Sequence, residues 1–204
     1  TLAKVIKKND SRLIHISTDY VFKGDAREAY LENDITNPIN IYGKSKLAGE
    51  KAILQFMKKN VIIIRSSWIY SNYGKNFVNT MTKLGKIRDN INIVCDQKGS
   101  PTYAKDLAKV ILKIKNDYTY RTSNLPSEIF HYSNIGKVSW YEFAKEIFKI
   151  ENINCKIIPI KSKDYISLAS RPKNTSINID KIVQQFKVKP IFWKKSLKKC
   201  LGKV

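Results

Sequence analysis

Acidic side chains are scarce in these 204 residues: 17 Asp and Glu stand against 38 Lys and Arg, leaving a net charge of +21. Such an excess would suit a nucleic-acid partner. The lysines, however, run along the whole chain without gathering into a basic arm, and no nucleic-acid motif of recognisable spacing occurs. Asn and Ile are abundant too, so a general residue bias accounts for the lysines, which read as a solvated surface able to steer an anionic small substrate. Cysteine is rarer still. Cys95, Cys155 and Cys200 are isolated and odd in number, which argues against a disulfide framework and a cysteine metal site; reduced thiols fit a cytoplasmic setting. Long apolar runs are missing. The longest aliphatic run, Val61 to Ile64, falls far short of the roughly 20 residues a membrane span needs, and the opening residues hold no secretory signal. Neither nucleic acid nor membrane is expected as a partner. Glycine numbers only eight, and no G-x-x-G-x-x-G turn for a cofactor pyrophosphate occurs. Repeats and low-complexity tracts are absent.

What is present alternates. Residues 1–9 read as the end of a helix, with Leu2, Val5 and Ile6 on one side. Arg12 to Ser17 is a short apolar run of the kind seen in a strand buried on both faces. Residues 23–40 are turn-rich, and Ile41 to Lys59 carries apolar residues at helical spacing. Further strands are expected at 61–65, 91–94, 129–133 and 156–160, and further helices at 76–87 and 103–115, the latter capped by Thr102. Ser139-Trp140-Tyr141-Glu142 spells a capping box that opens a helix to about residue 150. An irregular stretch and two short helices follow. Strands separated by helices predict βαβ units and a mainly parallel sheet, with its ligand crevice at the carboxyl ends of the strands, where Thr18 and Trp68 fall.

Two short runs carry chemistry. Tyr42 and Lys46 sit one helical turn apart, so they share a face. A free phenol, with its pKa near 10, gives up a proton reluctantly at neutral pH, and a neighbouring ammonium stabilises the phenolate. A pair so placed can protonate a carbonyl oxygen while hydride arrives at its carbon. Thr18 can donate a hydrogen bond to that same oxygen. A tyrosine and lysine at this spacing also occur on ordinary surface helices, so the pair alone is weak evidence. His15 and His131 lie in apolar strands and read as satisfied core residues; Tyr20 and Phe22 read as packing.

The surrounding words are more specific: Ser17-Thr18-Asp19-Tyr20-Val21-Phe22-Lys23-Gly24, the segment Pro38 to Glu50, Arg65-Ser66-Ser67-Trp68-Ile69-Tyr70, Asn76-Phe77-Val78, Asp96 to Thr102, Ser139 to Ala144, and Arg171-Pro172-Lys173-Asn174. With these the chain resembles the dTDP-4-dehydrorhamnose reductases, within the extended short-chain dehydrogenase/reductase family, from about residue 12 to 175. The resemblance implies an α/β fold: a partial Rossmann-like, doubly wound parallel sheet formed by 1–70 and about 102–135. An interleaved smaller substrate-binding domain would be formed by 71–101 and 136–204. It implies NADPH- or NADH-dependent reduction of the C4 ketone of dTDP-4-dehydro-β-L-rhamnose to dTDP-L-rhamnose. Thr18, Tyr42 and Lys46 would be catalytic, with Ser17, Tyr42 and Lys46 at the cofactor. Thr18, Asp19, Trp68, Arg171 and Asn174 would meet the nucleotide sugar.

The departures matter as well. Measured against the resemblance, roughly 85–90 residues of a doubly wound sheet would precede this chain. A fragment of a longer enzyme is therefore expected, one that alone would bind a nicotinamide dinucleotide poorly. Some family members hold magnesium between subunits through glutamates; Lys105 stands where one is sought, so no metal is expected, and a homodimer is left open. A reductase or epimerase of another nucleotide deoxysugar, and a non-catalytic binding or regulatory subunit of the same fold, are the alternatives.

Overall fold

The structure, a computed structural model, describes residues 2–203. The chain begins with α1 (Leu2–Lys8) and β1 (Leu13–Thr18), then a single 3₁₀ turn at Asp19–Val21 and the turn-rich loop. It continues through α2 (Ile41–Phe56), β2 (Val61–Ser66), β3 (Ile69–Tyr70), α3 (Phe77–Gly85) and β4 (Asn90–Val94). Two short strands, β5 (Lys98–Gly99) and β6 (Thr102–Tyr103), precede α4 (Ala104–Asn116), α5 (Tyr118–Thr122) and β7 (Glu128–Tyr132). Then come β8 (Val138–Ser139), α6 (Trp140–Glu151), β9 (Lys156–Ile160), α7 (Asp180–Phe186) and α8 (Trp193–Cys200).

The β-branched run of β2 makes it the centre of a parallel sheet in the order β1-β2-β7, and all six of its residues are buried. Because side chains alternate across a strand, Val61 and Ile63 pack with Ala3, Ile53 and Met57 of the first two helices and the residue after them. Ile62 and Ile64 pack on the other face with Leu107, Val110 and Ile114 of α4 and with Ile182 and Phe186 of α7. The sheet is thus wound on both faces. Its register sets Thr18 beside Ser66 and Arg65 beside both Ser17 and His131, so the carboxyl ends form one rim. A second core lies beside it, where β4 pairs in parallel with β9. It is filled by Val78, Met81, Phe143, Ile147, Leu197 and Trp193 from α3, α6 and α8.

Several expectations need correction. β1 is not buried on both faces: its first four residues are half-buried, because it forms the edge of this sheet. His15 is half-buried accordingly, whereas His131 is fully buried. Thr102 does not cap α4; it lies in β6, and the cap position, Tyr103, makes no side-chain cap bond. The helix α5 and the short pairs β3-β6 and β5-β8 had no signal of their own. Helix α7, expected with the second domain, packs on the first sheet. Among the described residues no helix is long and apolar enough to cross a membrane.

Candidate active site

A cavity of about 770 Å³ opens at the carboxyl ends of β1 and β2. Thr18 ends β1 and is buried; its hydroxyl donates to Asp19 Oδ1 at 3.0 Å and accepts from the Tyr20 N–H at 3.2 Å. That bond caps the 3₁₀ turn, which swings Asp19 and Tyr20 into the cavity wall. Opposite stands the N-terminus of α2. Asn40 caps it, accepting from the Gly43 N–H at 2.8 Å. A Cβ on Gly43 would lie 2.2 Å from the Tyr20 carbonyl oxygen, so only glycine lets the helix press against the turn this closely.

Helical spacing then places Tyr42, Lys46 and Glu50 on one face of α2. Tyr42 is 56% exposed in the cavity and meets the Tyr20 ring edge-on at 6.0 Å. The Lys46 ammonium donates to the Ile16 carbonyl at 2.7 Å, which ties it to β1 just before Ser17 and Thr18. Glu50 is buried and receives three hydrogen bonds from Arg65 of β2, at 2.7, 3.0 and 3.2 Å. The Arg65 guanidinium also lies 5.1 Å over the Phe22 ring. One ion pair therefore locks the Tyr–Lys helix to the sheet and to the segment following Thr18.

Asp19 is wholly buried. Burial pushes its carboxyl up to about 7, opposed by the hydroxyls of Thr175 and Thr18. Its Oδ2 makes no hydrogen bond of normal geometry, although the Thr175 hydroxyl is near enough to favour the charged form. Burial, and then the neighbouring Asp19 charge, push the Tyr20 phenol up to about 12, so it stays protonated. His131 is held neutral, its pKa lowered to about 3 by burial and the Arg65 charge.

Trp68 forms the floor, with its backbone in the left-handed region at φ 45°, a strained conformation for a tryptophan at a cavity wall. Its indole stacks on Trp140 at 3.4 Å with 6° between the planes. Gly99 makes this possible, since a Cβ there would sit 2.6 Å from the indole. Arg171 lines the cavity from the other side.

Thr18, Asp19, Ser17, Tyr42, Lys46, Trp68 and Arg171 thus converge on one cavity. Asn174 does not join them. Its amide nitrogen donates to the Ala26 carbonyl at 2.6 Å, and its oxygen accepts from Ser176, so it anchors a loop. Sequence reasoning missed Trp140, visible only as part of a capping box, and the segment Leu168 to Ser170, which carries no pattern. Tyr20, read as packing, lines the cavity too. For a nicotinamide cofactor the residues present fit its ribose end: Lys46 lines the cavity, and the neighbouring Ser17 and Ser66 carry buried hydroxyls without a partner among the described residues. Among the described residues no cluster of His, Cys, Asp or Glu could hold a metal ion, and Lys105 is exposed.

The family model described as the RmlD substrate binding domain matches residues 1–204. A dTDP-4-dehydrorhamnose reductase of Aggregatibacter actinomycetemcomitans is 39% identical, over 97% of this chain and 68% of its own length. The crystal structure of a dTDP-4-dehydrorhamnose reductase from Bacillus anthracis in complex with NADP superposes with a TM-score of 0.90 at 38% identity, over 100% of this chain and 69% of that one. A dTDP-4-dehydrorhamnose reductase from Clostridium acetobutylicum also gives a TM-score of 0.90, at 36% identity over 98% and 69%. The chain spans about two thirds of the length of the relatives it matches.

Proposed function

Because this chain belongs to the dTDP-4-dehydrorhamnose reductase family, we propose that it carries the catalytic centre for reducing the C4 ketone of dTDP-4-dehydro-β-L-rhamnose to dTDP-L-rhamnose. The observation that carries the reading is the meeting of Thr18, Tyr42 and Lys46 with Trp68 and Arg171 around one cavity. The two electrons come as hydride from a reduced nicotinamide dinucleotide, NADPH or NADH. Tyr42 gives the carbonyl oxygen its proton, turning ketone into alcohol as the carbon is reduced. The Lys46 ammonium, fixed by the Ile16 carbonyl, offsets the charge left on the phenolate and would also hold the nicotinamide ribose together with Ser17. The Thr18 hydroxyl, whose one proton goes to Asp19 Oδ1 in this structure, would turn that proton to the same oxygen, where negative charge gathers as the reaction proceeds. Asp19 and the stacked Trp68 and Trp140 give the sugar ring a polar edge and a flat apolar face.

The nucleotide has room in a second cavity of about 740 Å³ between α3, β4 and the loop after β9. Trp140 and Arg171 line both cavities. A guanidinium at that junction suits a diphosphate, with the base beyond it among Phe77, Arg88 and Tyr165. The three free thiols accord with a reducing, cytoplasmic setting.

The decisive variant is Tyr42→Phe in the enzyme bearing this chain. Turnover should fall about a hundred- to ten-thousand-fold, the usual worth of a positioned general acid. Affinity for the dTDP-sugar, read by calorimetry, should stay within a few-fold. Turnover that persists near the parent rate removes Tyr42 from the chemistry.

A further inference from the structure

The segment from Asp164 to Arg171 runs as a strap along both cavities, and every one of its residues is exposed. Its ends are firmly held. At one end Ser162 donates to Asp96 Oδ1 through both its N–H, at 2.8 Å, and its hydroxyl, at 2.6 Å. At the other, Pro172 is buried, the Lys173 carbonyl accepts from the Lys98 N–H at 2.7 Å, and the Asn174 N–H donates to the Gly24 carbonyl at 2.9 Å. Between these anchors one side chain from elsewhere in the fold reaches the strap's backbone among the described residues: the Asn40 amide nitrogen donates to the Ser170 carbonyl at 2.9 Å.

That same carboxamide caps α2 through its oxygen. The two partners fix its orientation, since an N–H requires the oxygen and a carbonyl requires the nitrogen. Asn40 is itself buried, at 8% exposure; its bond to Gly43 is fully buried and its bond to the exposed Ser170 partly so. The strap puts Leu168 and Arg171 into the wall of the first cavity and Ile166 into that of the second. Ile166 and Leu168 are also fully exposed, at 98% and 109%, which leaves two large aliphatic groups at the cavity mouths with no protein surface covering them.

We propose that Asn40 is a positioning residue whose carboxamide couples the strap over the ligand to the N-terminus of the helix carrying Tyr42 and Lys46. Through its nitrogen it holds Ser170, and with it Arg171 and Leu168, at the cavity. Through its oxygen it holds the first turn of α2. A nucleotide sugar seated beneath the strap therefore finds the proton donor already in register with the groups that grip the ligand. This step rests on the proposed function for the nature of the ligand, but not for the tether itself.

The test separates the two halves of the amide. Asn40→Asp keeps a good N-cap acceptor but has no N–H to give Ser170; Asn40→Ala loses both. The Asp variant should keep the thermal midpoint of the parent, while the Ala variant falls below it. Chymotryptic cleavage after Tyr165 and Leu168 should be several-fold faster in the Asp variant, and its affinity for dTDP, read by calorimetry, about tenfold weaker. An Asp variant that is cleaved and binds like the parent overturns the proposal, and so does one that loses as much thermal stability as the Ala variant. A parent chain that fails to bind dTDP counts against the proposed function instead, with the cleavage rates still deciding the tether.

Discussion

Two carboxylates lie buried near the same cleft, and their surroundings treat them in opposite ways. Glu50, on the sheet side of α2, meets the Arg65 guanidinium in three hydrogen bonds, and both partners are almost wholly shielded. Asp19, at the end of β1, has only hydroxyl and backbone partners, and burial raises its pKa to about 7. Glu50 is thus half of an ion pair that holds the helix of Tyr42 and Lys46 in place. Asp19 changes its protonation near neutrality at the wall of the cavity. Pairing, not depth, separates a scaffold carboxylate from a responsive one.

The largest expected effect comes from breaking the paired site. Glu50→Ala strands Arg65 as an uncompensated buried charge and should cost about 3–5 kcal/mol in denaturant unfolding. Replacing both residues by methionine should recover most of that loss. A cost under about 1 kcal/mol for the single variant would mean that water reaches Arg65, and the contrast with Asp19 would disappear.

The next test uses His131, which stands beside Arg65 in the register and is buried neutral. Its folded pKa of about 3 lies below the ordinary 6.5. Between those values the unfolded chain binds a proton that the folded chain does not, so the His131 contribution to stability falls as pH drops from about 6.5 toward 3. His131→Phe should flatten that acid limb, whatever it costs at neutral pH. An unchanged limb would place the acid sensitivity elsewhere.

Asp19 works with the reverse sign. Its folded pKa of about 7 lies above the ordinary 3.8, so the folded chain keeps a proton that the unfolded chain has lost. The Asp19 contribution to stability should therefore decline as pH rises from about 4 to about 7 and then level off, by a few kcal/mol at most, offsetting the opposite His131 slope where the two ranges overlap. Asp19→Asn should remove this decline while leaving the His131 limb intact. If the variant keeps the parent's slope between those values, Asp19 does not titrate there and the contrast is lost.

Much of this was legible in residue order because the signals are local. A Tyr and a Lys four residues apart share a helix face whatever surrounds them, and the Ser139–Glu142 box closes on itself at 2.7 and 3.1 Å. The buried run of β2 marks a central strand. Other features depend on residues far apart in the chain. Trp140 reaches the cavity because it stacks on Trp68, and Gly99, near neither in sequence, makes the space. The half-exposure of β1 follows from its edge position, which a six-residue apolar run cannot reveal. Asn174 is expected at the ligand because Arg171-Pro172-Lys173-Asn174 resembles a family run, yet its amide serves the Ala26 carbonyl.

By itself the sequence determined the alternation of strands and helices, the Ser139–Glu142 capping box, and the shared face of Tyr42 and Lys46, since backbone periodicity and capping act within a few residues. Only the tertiary structure decided that Glu50 pairs with Arg65, that Asp19 has no salt-bridge partner among the described residues, and that Asn40 reaches Ser170 across 130 positions. Burial and charge pairing belong to the packed assembly, where distant segments exclude water together, and no local pattern encodes which partner arrives.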